Sequence, residues 1–83
     1  GKFMNDSAKS FANRLRTEAG KEPKKQVEHA LKLVFSRSPQ KNEINAGFEM
    51  MKNMKNKLSH SGEEALDRFA LLALNLNEFV YLD

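Results

Sequence analysis

Apolar residues recur along most of this chain at spacings of three and four, the period of one helix face. Met4, Ala8, Phe11, Ala12, Leu15 and Ala19 form the first stripe. It predicts a helix over residues 6–19, with Asp6 or Ser7 able to cap its start and Gly20 placed to stop it. Val27, Ala30, Leu31, Val34 and Phe35 form the second stripe, in a helix opening at Pro23. Proline suits a first helical turn because the N–H it lacks has no partner there. This helix must end before Pro39, since the residue ahead of a proline is pushed out of helical geometry.

The third stripe is Ile44, Gly47, Phe48, Met51, Met54 and Leu58, predicting a helix over 40–58. Gly47 costs about 1 kcal/mol against alanine there, so a close helix–helix crossing at that point is expected. Lys41, Asn45, Glu49, Lys52 and Asn56 make the opposite face, and the chain's methionines, three of them in this helix, read as core filler.

The fourth element changes the pattern. Ser61 and Glu64 have capping-box spacing ahead of an apolar run, so a helix over 62–75 follows. Ala65, Leu66, Phe69, Ala70, Leu72 and Ala73 lie on one side of it, with Leu71 and Leu74 on another. So little polar face marks a helix that others pack around. Asn75 can end it, and Asn77 can cap a separate short turn over 78–81. The apolar run Phe79, Val80, Tyr81 and Leu82 then either packs back or meets a partner, and it is a candidate interaction surface.

These patterns predict an all-α fold: a compact bundle of four helices with a short C-terminal helical turn. Eighty-three residues make a single domain, 1–83, with one core. Cysteine is absent, so no disulfide or thiolate zinc site supports it. The chain opens abruptly, and residues 1–4 read as a disordered or partly tag-derived lead into a domain excised from a larger protein. The longest apolar run, residues 69–74, is far short of the roughly 20 residues a membrane-spanning helix needs.

Charge adds one alternative. Residues 1–41 carry ten Lys or Arg and four Asp or Glu, whereas residues 42–83 carry four and seven. A basic half invites a nucleic-acid reading. Its face would be Lys41, Asn45, Lys52, Lys55 and Asn56 on a helix that follows a short turn, as in helix-turn-helix proteins. Glu43 and Glu49 lie among them and would repel phosphate, and no aromatic run is present to stack bases. Mixed charge on a solvated face is the preferred explanation.

Catalytic chemistry finds no foothold. His29 and His60 are far apart in sequence without the short local pairs of metal sites, so no metal or cofactor is expected. Ser59, His60 and Ser61 put hydroxyls beside an imidazole, but nothing orients a base, and capping explains Ser61. Glu63, Glu64 and Asp67 sit where a helix dipole favours negative charge.

Three stretches resemble one family. "FANRL" (11–15), "ALKLVFSRSPQKNE" (30–43) and above all "ALDRFALLALNLNEFVYLD" (65–83) look like the C-terminal domain, of unknown function, of large planctomycete proteins that carry a cytochrome-c-like domain. The family's usual Gly-Arg-Pro-Pro turn is "SRSP" here, and Leu76 replaces a small residue between the two asparagines. The resemblance implies a helical module at the end of an exported or surface-associated protein. It implies no activity and no haem, since no Cys-x-x-Cys-His occurs. The function expected is therefore structural or protein–protein interaction, with other domains of the parent or another protein as partner and no catalysis.

Overall fold

The computed structural model describes the backbone of residues 6–57 and 61–82, and the side chains of 6–57 and 61–76. The described chain is four helices and no strand: α1 (Asp6–Ala19), α2 (Pro23–Phe35), α3 (Lys41–Lys57) and α4 (Gly62–Leu82). The all-α four-helix bundle expected from the apolar periodicity is the fold observed.

Local chemistry sets the helix ends. Gly20 takes a left-handed φ of 81° and its N–H returns to the Arg16 carbonyl, closing α1. Proline opens α2, and Ser36 ends it in the left-handed region with φ 55°. That stop falls ahead of Pro39, as the restriction on pre-proline residues requires. At α3 the Glu43 carboxylate accepts the Gln40 N–H at 2.7 Å. The same carboxylate accepts both Arg37 Nη1 (3.0 Å) and Arg37 Nη2 (2.9 Å), bracing the turn between α2 and α3. These bonds favour the ionised form and pull the Glu43 pKa down to about 2, Arg37 first and the Gln40 N–H second. At α4 the capping box forms in full: Glu64 accepts the Ser61 N–H at 2.9 Å, and Ser61 Oγ accepts the Glu64 N–H at 3.1 Å.

The four helices share one core. Ala12 and Leu15, Val27 and Leu31, Met51 and Met54, and Leu66, Phe69 and Ala70 all converge on it. Helices α2 and α4 each pack against the three others, whereas the backbones of α1 and α3 stay apart among the described residues. The apolar fourth helix is thus central, a place it shares with α2. Gly47 lies against Val27 of α2 and Phe69 of α4.

Two expectations are corrected. First, α4 does not stop at Asn75; it continues unbroken to Leu82, so no separate terminal turn exists. Asparagine costs a helix only a few tenths of a kcal/mol, and neither glycine nor proline stands there to break it. Second, Leu72 is 37% exposed, outside the core. By helical geometry Leu72 falls just outside Ala65, at the edge of the sector buried through Ala65, Leu66, Phe69, Ala70 and Ala73. Arg16, off the apolar stripe of α1, reaches α4 with its guanidinium. Met4, Leu58, Ser59 and His60 lie outside the described residues.

Candidate protein-interaction cleft

The first turn of α2, the first turn of α4 and the middle of α3 surround a cleft of about 670 Å³. That volume lies in the range of ordinary ligand sites, roughly 300–1,000 Å³. Leu66 and Met51 close its bottom and are themselves buried. Phe48, half-buried, and Pro23, exposed, supply apolar surface that a partner can reach.

Four cations line this cleft, and they are not equivalent. Arg16 is already committed: Nη2 donates to Asp67 Oδ1 (2.8 Å) and to the Glu63 carbonyl (2.9 Å), while Nη1 donates to Asn13 Oδ1 (2.8 Å). It clamps the last turn of α1 to the start of α4 and forms one wall. Lys52 pairs with Glu49 at 3.3 Å, both groups being well exposed. Lys21, on the turn after Gly20, and Lys55, on α3, form no ion pair among the described residues. One carboxylate, Glu63, also lines the cleft.

Phe48 gathers further charge. The ammonium of Lys24 lies 5.5 Å from its ring centroid, and that of Lys52 lies 5.7 Å away. Both are within the roughly 6 Å at which a ring face attracts a cation. Both ammonium groups thus lie over the half-buried Phe48 ring.

Gln26 adds a directed polar group. It is 6% exposed, the buried polar residue of the described chain, and it lines the cleft. Its side-chain N–H donates to the Gly20 carbonyl at 2.6 Å, tying α2 to the turn before it. Its side-chain carbonyl has no hydrogen-bond donor among the described residues.

The residues predicted from sequence distribute unevenly over this geometry. Lys41, Asn45, Lys52, Lys55 and Asn56 are all exposed on α3, but only Lys52 and Lys55 reach the cleft. Glu43 is held by Arg37 at the turn, and Glu49 pairs with Lys52. Phe79, Val80, Tyr81 and Leu82 belong to the final turns of α4, and their side chains lie outside the described residues. His29 bonds Glu18 Oε1 at 2.6 Å, linking α2 to α1. That bond, with Arg14 on the other oxygen, lowers the Glu18 pKa.

Sequence reasoning missed Arg16, Lys21 and Gln26 as members of one site. Gln26 had a signal: it stands four residues before Ala30, on the buried stripe of α2, where a polar residue needs a purpose. Lys21 had none, because its position depends on how two helices meet. Compared with known proteins, the chain matches no family model, no curated protein and no solved structure.

Proposed function

We propose that this chain is a helical module for protein–protein interaction and that the cleft is where it engages its partner. The observation that carries this reading is the pairing of reachable apolar surface, Phe48 and Pro23, with two cations, Lys21 and Lys55, that have no ion-pair partner among the described residues. Interfaces combine an apolar centre with a charged rim in this way. The module acts as a binding or structural part, not a catalyst, of a larger exported or surface-associated protein. The likeness of its last stretch to the planctomycete C-terminal domain supports that setting. No described helix is long and apolar enough to cross a membrane.

Nucleic acid is the second reading, favoured by the exposure of Lys41, Asn45, Lys52, Lys55 and Asn56 along one helix. Selection of random displayed peptides against the domain, followed by amide NMR mapping, separates the two. Enriched peptides that shift Gln26, Phe48, Met51 and Lys55 support the module. The same spectra with a mixed-sequence DNA duplex should stay still. Shifts confined to the α3 face that fade with added salt would instead establish phosphate binding, which weakens as counterions rise.

A further inference from the structure

The cleft's chemistry narrows the partner. Lys21 and Lys55 come from different elements and both line the cleft, so it offers an acidic ligand two cations that no ion pair among the described residues engages. The ammonium groups of Lys24 and Lys52 lie over the Phe48 ring, adding positive charge at the apolar surface. Arg16 cannot serve the same purpose, because Asp67 and the Glu63 carbonyl already hold it. The Gln26 side-chain carbonyl is an acceptor in the same cleft, suited to a peptide N–H. Among the described residues Glu63 is the one carboxylate in the lining, so an acidic ligand must direct its charge toward Lys21 and Lys55.

We infer that the cleft binds a short acidic peptide segment carrying one large apolar side chain. The apolar group packs on Phe48 and Pro23, and the flanking carboxylates pair with Lys21 and Lys55. This inference rests on the cleft being a protein-binding site and adds the chemistry of the occupant. Affinity resides mainly in the anchor, as buried aromatic and aliphatic anchors dominate interfaces. The charges supply selectivity and salt sensitivity.

The test uses labelled synthetic peptides of one length in fluorescence polarisation, with amide shifts to locate binding. One peptide has a central phenylalanine flanked by aspartate and glutamate. The second replaces the acids by asparagine and glutamine, the third replaces the phenylalanine by alanine, and a DNA duplex is the fourth probe. The acidic, anchored peptide should bind at the cleft, with affinity falling about tenfold on loss of the anchor. It should also weaken in high salt. The double variant Lys21→Glu/Lys55→Glu should bind it at least about tenfold less. Both substitutions are at exposed positions, so the variant should stay folded, its melt lowered only slightly by reversing Lys55 in the last turn of α3.

If the neutral peptide binds the cleft as well as the acidic one, the acidic preference is overturned and the protein-binding reading stands. If no peptide moves a cleft amide, both are overturned. If only the duplex binds, the α3 face reads phosphate and the inference is equally overturned.

Discussion

A Cβ placed on Gly47 would lie 2.6 Å from Val27 Cγ1, closer than two carbons can stand, and 3.3 Å from the Phe69 ring edge. Glycine is therefore the residue that lets α3 meet α2 and α4 together. Gly47→Ala should lower stability by up to about 2 kcal/mol. Overpacking of about 1–3 kcal/mol outweighs the roughly 1 kcal/mol gained in helix propensity. Valine has one preferred helical rotamer and cannot swing aside. Combining it with Val27→Ala should recover part of the loss in a denaturant melt, and strict additivity would refute the contact.

Arg16 and Asp67 meet at 2.8 Å with 28% and 15% of their side chains exposed. This is a partly sheltered, charge-assisted pair, stronger than a surface ion pair. Asp67→Asn should cost about 1 kcal/mol and Arg16→Ala somewhat more, since the latter also abandons the Glu63 carbonyl. A double-mutant cycle should return a coupling of about 1 kcal/mol. Zero coupling would mean that the pair contributes nothing.

Two apolar residues three apart on α4 should respond very differently to aspartate. Phe69 is 4% exposed, and Phe69→Asp should unfold the domain, because an unpaired buried charge costs more than a chain of this length has to spare. Leu72 is 37% exposed, so Leu72→Asp should fold, losing about 1 kcal/mol or less. Circular dichroism of the two variants decides this, and an unfolded Leu72→Asp would return Leu72 to the core.

Glu43 predicts an acid limit. Its folded pKa, about 2, is below the unfolded value of about 4.3. A depressed carboxylate contributes stability that is present above the unfolded pKa and is lost as pH falls through the folded one. The bracing of the α2–α3 turn should therefore weaken between about pH 4 and pH 2. Glu43→Gln should flatten that part of the pH–stability curve, and an unchanged slope would count against the assignment.

Ser36 holds a φ of 55°, a conformation that costs a non-glycine residue roughly 1–2 kcal/mol. Ser36→Gly should raise the melting temperature, with a net gain of about 0.5–1 kcal/mol once the greater freedom of unfolded glycine is subtracted. A lower melting temperature would show that the serine side chain does more at this cap than its backbone costs.

Most of the helical architecture was legible in the amino-acid order. Gly20 as a stop, Pro23 as a start, the Ser61–Glu64 capping box and the buried stripes of α1, α2 and α3 all follow from contacts spanning three or four residues. Such contacts are set by the local chain, so sequence alone determines them. Tertiary structure decided the rest. Helix α4 is apolar nearly all round, yet Ala65, Leu66, Phe69, Ala70 and Ala73 of the expected side are buried, and the arrangement of three neighbours left only Leu72 of that side outside. The Asn75 stop failed because a helix already propagating gains a hydrogen bond per added residue, which a weak local signal does not offset. Arg16 finds Asp67 across 51 positions. The cleft joins Lys21, Gln26, Phe48, Lys55 and Leu66 from separate elements, and only the packing of those helices could bring them together.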